Sequence, residues 1–233
     1  MISKIISEDS IPECWEQGLD YILKNGIMID GERGKTKTVF NLTFEIKKPL
    51  QNMVHSKSVY SLEFLEAYKN QLLFGSKQTF DYTYHERIYE NPIDQIATCV
   101  ETLNKNKYSR RALFTTRLPK IDAKMENIPC LVSGIFFFNG FRLNLDCLFR
   151  SWDIFGGMPA NLYALSFLLK DVADKTGLVP GRLIVKGVHP HVYKYDINSA
   201  YDILEYFKIV PLFKRIKSFS KKDKVLLPLW QLP

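Results

Sequence analysis

One hairpin constrains the fold of this chain more than any other feature of its sequence. Leu131–Phe138 is a nearly continuous apolar run, and the pair Asn139-Gly140 follows it directly. Asn-Gly is a strong signal for a tight hairpin turn, because both residues tolerate a left-handed backbone. Residues 141–147 then alternate between apolar and polar, the pattern of a strand with one buried face. The chain therefore contains antiparallel sheet.

Hydrophobic periodicity elsewhere predicts helices that cover this sheet. Apolar residues recur at helical spacing in four segments: 11–24, 62–73, 93–103 and 161–176. Strand patterns mark three more segments: 36–46, 111–116 and 183–188. No internal repeat or Gly/Ser/Pro-rich linker divides the chain. We predict one α+β domain over residues 1–233, with a mixed or antiparallel sheet packed against helices.

Composition limits where such a chain can work. It has 233 residues, of which 46% are hydrophobic, enough for one sizeable core. It has no apolar run of about 18 residues, which a membrane span needs, and residues 1–10 lack the apolar stretch of a secretory signal. The cysteines show no metal-binding spacing: Cys14, Cys99, Cys130 and Cys147. These features predict a cytoplasmic protein with reduced thiols and no membrane association.

The net charge of +7 suits nucleic acid, a membrane surface or a phosphorylated small molecule as partner. Much of the excess lies in a basic C-terminal tail, residues 214–233. No fingerprint of a nucleic-acid-binding module accompanies this tail, so we interpret it as a solvated segment. Nucleic acid is therefore not the expected partner.

Cys130 is the first candidate for chemistry. It precedes the first strand of the hairpin, while Arg150 and Ser151 end the return strand. A cysteine on an apolar strand is commonly only a core residue. A guanidinium near it, however, favours the reactive thiolate. Arg150 thus has two roles open to it, lowering the pKa of the thiol and binding a phosphate.

A polar run rich in glycine leads from the return strand into the last predicted helix. It contains Asp153 and the pair Gly156-Gly157, where backbone can approach a ligand closely. Asn161 stands at the predicted start of the helix and could simply cap it. Its carboxamide also offers a donor and an acceptor, which match the O4 and N3–H edge of uracil.

Two further polar groups flank predicted strands. Arg110 and Arg111 precede one strand, either as a solvated pair or as a clamp on a phosphate. His191 and Tyr193 follow another, and such a pair can hydrogen-bond a sugar hydroxyl. His189 lies two residues before His191, but no third ligand has useful spacing, so we expect no metal site.

These motifs occur together in one family. The matching runs are Pro129-Cys130, Arg150-Ser151-x-Asp153-x-x-x-Gly157-x-Pro159-x-Asn161 and His191-x-Tyr193. In order and spacing they resemble the folate-dependent thymidylate synthases, over roughly residues 30–205. The compact length is similar to that of the short archaeal-type members.

The resemblance implies a role for each matching residue. Cys130 would add to C6 of a pyrimidine nucleotide, Tyr84 would take part in removing the C5 proton, and Asp153 would contact the pterin. Substrate-binding roles are implied for Arg33, Arg150 and Ser151 at the 5′-phosphate, Asn161 at the base, His191 and Tyr193 at the ribose 3′-hydroxyl, and Gly157 in the shared motif. Arg110 and Arg111 would come from the neighbouring subunit, which implies a homodimer.

The implied reaction moves a one-carbon unit from a reduced pterin to C5 of the pyrimidine, with dUMP to dTMP as the leading interpretation. Addition of the Cys130 thiolate to C6 makes C5 nucleophilic, which divides one difficult step into easier ones. The donor is expected to be 5,10-methylenetetrahydrofolate or a methanopterin-type analogue. The partners expected are thus a pyrimidine nucleoside monophosphate and a reduced pterin.

Departures from the family pattern leave alternatives open. Leu131 stands where the family usually has His, Tyr68 where it has Glu, Gln71 where Trp is common, and Phe149 where it has Gln. These positions concern water and pterin contact, so a 5-hydroxymethylase acting on dUMP, CMP or dCMP is the alternative. Asn161 favours uracil, because cytosine enzymes of the family tend to carry Asp there. A nucleic-acid-binding regulatory homologue is the third hypothesis, and the basic tail motivates it.

Overall fold

The computed structural model describes residues 4–75, 82–90 and 92–210, which form helices packed on a mixed sheet. Its strands are β1 Lys4–Glu8, β2 Ile27–Gly31, β3 Gly34–Thr38, β4 Leu42–Ile46, β5 Leu113–Thr115, β6 Leu131–Phe138, β7 Leu143–Asp153 and β8 Pro180–Tyr193. Its helices are α1 Ile11–Asn25, α2 Leu62–Phe74, α3 Gln95–Lys105, α4 Pro119–Asp122, α5 Gly157–Thr176 and α6 Ile197–Ile209. A π-helical turn spans Glu86–Glu90 and a 3₁₀ turn spans Lys194–Asp196. The basic tail at 214–233 lies outside the described residues.

The sheet runs in the order β1-β4-β8-β7-β6-β5, and the β2–β3 hairpin joins it through β8. Strands β1 and β4 pair in parallel, as do β7 and β8, whereas β4–β8, β6–β7 and β5–β6 are antiparallel. Parallel neighbours need a crossover, and α5 supplies it between β7 and β8. The predicted α+β fold with a mixed sheet is confirmed.

In the described part of the chain, helices cover one face of the sheet and no layer of secondary structure covers the other. Apolar side chains of β7 and β8, such as Leu145 and Val185, are fully buried in one core with Leu165 and Leu169 of α5. Side chains that alternate with them point to the other face, where Asp146 is exposed and Leu148 and Ile184 are half-buried. Within the described residues, no helix has the length and apolar character needed to cross a membrane.

The predicted hairpin is confirmed. Strand β6 has the predicted limits, Leu131–Phe138, and pairs antiparallel with β7. Gly140 adopts a φ of 96°, and the Asn139 side chain accepts hydrogen bonds from the backbone N–H groups of Phe141 and Arg142. Gly140 thus supplies the left-handed backbone, whereas Asn139 does not adopt it and contributes its side-chain oxygen instead.

The predicted single strand over residues 36–46 is wrong. It is two strands, β3 and β4, because Asn41 takes a left-handed conformation with a φ of 56°. The connecting backbone still bonds to β8, through Val39 N–H to Pro190 O and Asn41 N–H to Val188 O. The apolar–polar alternation of the sequence continues across the break because the backbone on both sides pairs with β8.

Two other predicted boundaries change where polar residues lie. The strand predicted over residues 183–188 extends across Pro180–Tyr193, so His191 and Tyr193 lie within β8 rather than after it. The helix predicted from residue 161 begins at Gly157. Asn161 is therefore one turn inside α5, and the interpretation of its side chain as a helix cap is wrong.

A buried ion pair fixes the π-helical turn. Arg87 Nη1 lies 2.9 Å from Asp122 Oδ1, and both side chains are almost completely buried. The second carboxylate oxygen accepts the Leu118 N–H at 2.8 Å, so the charge has partners on both sides. The Arg87 guanidinium also lies 5.5 Å from the centre of the Tyr82 ring. This pair therefore fixes the segment that carries Tyr82 and Tyr84.

Replacing one member of this pair should destabilise the whole domain. We expect Arg87→Met to lower the free energy of unfolding by about 3 kcal/mol, because it leaves a buried carboxylate without its main counter-ion. Urea unfolding followed by circular dichroism measures the loss. Lys175→Met removes an exposed pair with Asp171 and should cost less than about 1 kcal/mol. Equal losses in the two variants would contradict this account.

Candidate active site

Cys130 is the least buried of the four cysteines, all of which lie in the described residues as free thiols. Cys14, Cys99 and Cys147 are core residues, and burial raises the pKa of Cys14 and of Cys99 to about 12. Cys130 lies directly before β6, and its carbonyl accepts the Arg150 N–H of β7 at 2.9 Å. The hairpin thus places the accessible thiol beside Arg150.

The Arg150 side chain holds the loop that leads to the thiol. Its Nε donates to Pro129 O at 3.0 Å, and its Nη2 donates to Ile128 O at 2.8 Å. These bonds anchor the guanidinium, and the charge then acts on Cys130. Arg33, on the turn between β2 and β3, also bonds to this loop through Asn127.

Two opposing effects set the pKa of the Cys130 thiol. Burial raises it, and this effect is larger than the opposing pull of Arg150 and Arg33. The buried carboxyl of Asp153 adds a further small rise. The predicted influence of Arg150 is therefore present, but the net pKa lies above the usual thiol value. The ligand-free thiol is protonated at neutral pH.

Two tyrosines contact the backbone on either side of Cys130. The Tyr82 hydroxyl donates to Ile128 O at 3.4 Å, and the Tyr84 hydroxyl accepts the Leu131 N–H at 3.2 Å. Burial raises the pKa of Tyr82 to about 12 and that of Tyr84 further. Both side chains are therefore neutral phenols at physiological pH, and Tyr84 keeps its hydroxyl hydrogen for another acceptor.

Asp153, the last residue of β7, binds the start of α5. Its Oδ1 accepts the backbone N–H groups of Phe155 at 3.0 Å and Gly156 at 3.1 Å. Burial nevertheless raises its pKa to about 6, against the effect of these bonds. A Cβ on Gly156 would lie 2.8 Å from Oδ2, whereas one on Gly157 would meet nothing closer than 3.5 Å. Only the first glycine is required by the packing of this carboxyl.

Asn161 uses both ends of its carboxamide. Its Oδ1 accepts from Trp152 Nε1–H at 3.0 Å, and its Nδ2 donates to the Tyr68 hydroxyl at 2.7 Å. Sequence pattern alone gives Trp152 no role and marks Tyr68 only as a departure from the family. The Arg-Ser-Trp-Asp run gave a usable signal for Trp152, but nothing local connects Tyr68 on α2 with Asn161 on α5.

His191 presents a buried acceptor. Its Nδ1 donates to His189 O at 3.1 Å, since a carbonyl can only accept. Burial lowers its pKa, so the ring is neutral and Nε2 carries a lone pair. Nε2 is buried without a hydrogen-bond partner among the described residues. The ring meets Tyr193 edge-on at 4.9 Å.

The remaining predicted residues divide into two groups. Ser151 is half-buried in β7 and pairs with His189 of β8, close to the cluster. Arg110 and Arg111 are exposed and precede β5 at the sheet edge. In this chain the arginines that act on Cys130 are Arg33 and Arg150. No group of three or more potential metal ligands occurs within the part of the chain that the structure describes.

A half-buried thiol, two arginines and an oriented carboxamide thus lie around one site. The sequence profile of the family described as thymidylate synthase matches residues 53–214. This chain belongs to the thymidylate synthase family. Membership of this family supports the assignment of the chain as a methyltransferase. It also implies a pyrimidine nucleotide as substrate and a folate-type one-carbon donor.

Archaeal relatives match more than four-fifths of the chain. A protein of Methanococcoides burtonii, provisionally named thymidylate synthase, is 38% identical over 208 residues, which are 88% of this chain and 96% of the relative. A Methanosarcina barkeri protein with the same provisional name is 35% identical, with the same coverage of both chains. One from Methanocaldococcus jannaschii is 32% identical over 81% of this chain and 90% of its own length.

The electrostatics of this thymidylate synthase family site can be tested without substrate. We expect Arg33→Gln to slow alkylation of Cys130 by iodoacetamide at pH 8 by about two- to fivefold, because a lost positive charge raises the thiol pKa further. The thiolate reacts, so the rate rises with pH, and the variant's profile should shift to higher pH. Peptide mass spectrometry at Cys130 measures the rates.

Arg142→Gln provides the control, because Arg142 is exposed at the far end of the β6–β7 hairpin. It should leave the alkylation profile unchanged. An Arg33→Gln profile that coincides with that of the unmodified protein would show that the guanidinium does not act on the thiol.

Proposed function

We propose that this chain converts dUMP to dTMP, with Cys130 as the nucleophile and a methylene-pterin as the one-carbon donor. The observation that carries this proposal is the grouping of the accessible thiol with Arg33 and Arg150. Two cations beside a nucleophile suit a substrate whose phosphate lies near its reacting ring. Ser151, next to Arg150, adds a hydroxyl donor for the same phosphate.

The carboxamide of Asn161 supports uracil as the base. Trp152 Nε1–H can only donate, so the atom that faces it must be Oδ1, and Nδ2 faces Tyr68. One lone pair of Oδ1 and one hydrogen of Nδ2 are left for a ligand. They complement N3–H and O4 of uracil, whereas cytosine, with an acceptor at N3 and a donor at N4, needs the opposite arrangement.

His191 supports recognition of the ribose. The buried Nε2 is an acceptor without a partner in the described residues, and leaving such an atom unpaired is costly. A ribose 3′-hydroxyl would donate to it, and the adjacent Tyr193 hydroxyl would bond to the same oxygen. Gly157, near Asn161 at the start of α5, leaves room for the approaching ligand.

Different residues of the chain then carry out different steps of the proposed reaction. The Cys130 thiol loses its proton and adds to C6, which makes C5 nucleophilic. A reduced methylene-pterin supplies the one-carbon unit and the hydride that completes the methyl group. Tyr84, a neutral phenol, orients the water that removes the C5 proton. The thiolate then leaves C6, which restores Cys130.

Asp153 fits the pterin side of this site. Its Oδ1 is engaged by backbone N–H groups, and its Oδ2 packs against Gly156, where a Cβ would lie 2.8 Å away. A carboxylate there would accept from the donor-rich amidine edge of a pterin. The donor is 5,10-methylenetetrahydrofolate or a methanopterin-type analogue, since both present this edge.

Product mass tests the reaction. Incubation with dUMP and methylenetetrahydrofolate should give a nucleotide about 14 mass units heavier than dUMP, as expected for a methyl group, whereas a hydroxymethyl group would add about 30. Cys130→Ala should abolish the product, because no nucleophile remains for C6. A product heavier by about 30 would replace this proposal with a hydroxymethylase, and activity in Cys130→Ala would refute the nucleophile.

A homodimer would complete the site. The face of the sheet opposite the helices is uncovered in the described residues and carries apolar side chains such as Ile135, which is 44% exposed. Arg110 and Arg111 lie exposed at one edge of this sheet, outside the charge cluster of their own chain. We propose that two copies pair through this face and that each supplies these arginines to the phosphate of the other.

Mixing inactive variants tests the shared site. Cys130→Ala and the double variant Arg110→Ala/Arg111→Ala should each be inactive alone. Equal amounts, unfolded and refolded together, should recover about a quarter of normal activity, because half of the dimers are mixed and each contains one intact site. Cys130→Ala unfolded and refolded alone is the control, and it should stay inactive. No recovery in the mixture would contradict sharing.

A further inference from the structure

The hydrogen bonds of Asn161 form a chain whose direction is fixed by chemistry. Trp152 Nε1–H has no acceptor capacity, so it must donate to Asn161 Oδ1, at 3.0 Å. The amide nitrogen therefore faces Tyr68 and donates to its hydroxyl at 2.7 Å. No reversal of the carboxamide satisfies both contacts. The Tyr68 oxygen is consequently an acceptor in this chain, and its one hydrogen remains available.

The Tyr68 hydroxyl belongs to the site and stays protonated. Burial raises the pKa of Tyr68 above the usual range, and the neighbouring Tyr82 and Cys130 raise it further. Tyr68 and Cys130 also pack against the same hydrophobic core, so the phenol lies in the region of the nucleophile. The ring stacks on Phe64 at 6.3 Å, which limits its movement. Among the described residues, the Tyr68 hydroxyl is hydrogen-bonded to Asn161, whose Nδ2 donates to it.

We propose that Tyr68 is a further catalytic residue, which donates its O–H to O4 of the pyrimidine while Cys130 adds to C6. This inference rests on the proposed function. Addition at C6 moves negative charge through C5 and C4 to O4, so a donor aimed at O4 acts more strongly in the transition state than in the bound substrate. Asn161 Nδ2–H and Tyr68 O–H lie 2.7 Å apart as heavy atoms and can reach the same oxygen.

Trp152 acts as a positioning residue in this arrangement. Its Nε1–H fixes which end of Asn161 faces Tyr68, and its ring is held by Phe149 at 4.7 Å and by Phe44 at 5.5 Å. The aromatic surroundings exclude water and lower the local dielectric, which strengthens a hydrogen bond to a developing charge. The pair of donors therefore forms an oxyanion hole for O4.

The structure offers a matched control for a purely structural role. Tyr163 of α5 donates its hydroxyl to Glu66 of α2, so it joins the same two helices as the contact between Tyr68 and Asn161. Tyr163→Phe and Tyr68→Phe each remove one tyrosine hydroxyl from this interface. Only the second removes a donor to O4.

Kinetics on the purified full chain distinguish the two roles. We expect Tyr68→Phe to lower kcat for dUMP by about a hundredfold, the usual effect of losing one oxyanion donor. The Kd for dUMP, measured by calorimetry, should change by less than about threefold because the charge is absent from the ground state. Tyr163→Phe should keep both values. Urea unfolding of both variants shows whether either has lost structure.

A second readout isolates the addition step. With 5-fluoro-dUMP and methylenetetrahydrofolate, C5 holds fluorine instead of a removable proton, so a covalent adduct on Cys130 accumulates. Tyr68→Phe should slow adduct formation by a factor similar to its loss in kcat. Trp152→Phe should reduce the preference for dUMP over dCMP by about tenfold, because the freed carboxamide can reverse.

The outcomes separate the two proposals. An unmodified protein that makes no methylated product from dUMP would refute the proposed function. An unmodified protein that makes dTMP, with Tyr68→Phe equal to it in kcat and adduct rate, would overturn the role of Tyr68 alone. Equal losses of kcat in Tyr68→Phe and Tyr163→Phe, with matching losses of stability, would overturn it as well, because helix packing would then explain the effect.

Discussion

The parallel pairing of β7 with β8 is the contact on which the rest of the site depends. Its register sets Ser151 opposite His189 and Asp153 opposite His191. On the other side of β7, the backbone N–H of Arg150 bonds to the carbonyl of Cys130. Backbone ladders therefore decide which polar side chains meet, and the side chains only refine distances that the sheet has already set.

Burial and charge oppose each other throughout this site. The thiol of Cys130 and the carboxyl of Asp153 both have raised pKa values because they are removed from water. Arg33 and Arg150 favour the thiolate but do not outweigh burial. A neutral thiol suits a resting enzyme, since a permanently ionised one would be open to oxidation and alkylation. Formation of the reactive Cys130 thiolate then depends on how ligand binding changes the charges and proton acceptors around the thiol.

Local pattern was sufficient for much of the fold. The Asn139-Gly140 turn, the alternation before and after it, and the apolar face of α5 each depend on neighbours close in sequence, and each was predicted. The break at Asn41 was not, because the connecting backbone stays hydrogen-bonded to Pro190 and Val188 of β8, so the apolar–polar alternation continues across the left-handed residue. The end of β8 was missed for a local reason, since Pro190 lies within the strand and a proline usually signals a strand's end.

Motif order identified candidate site residues but could not supply their partners. The contact between Tyr68 and Asn161 joins residues 93 positions apart, and no periodicity encodes it. The local sequence was also misleading at Asn161. An asparagine at the predicted start of a helix suggests a helix cap, but α5 begins at Gly157. The charged groups that come from one chain, Arg33 and Arg150, could be separated from Arg110 and Arg111 only in three dimensions.

Three of the four departures noted in the sequence, Leu131, Phe149 and Tyr68, belong to one connected group in space. Leu131 pairs with Phe149 across the hairpin, and Phe149 stacks on Trp152 at 4.7 Å. Trp152 in turn fixes Asn161, which bonds to Tyr68. A change at one of these positions alters the surroundings of the next, so they are better understood as one coordinated replacement than as separate losses. An apolar and aromatic wall that carries two aimed donors can stabilise charge at O4 directly, in a site where polar side chains and ordered water would otherwise have to do so.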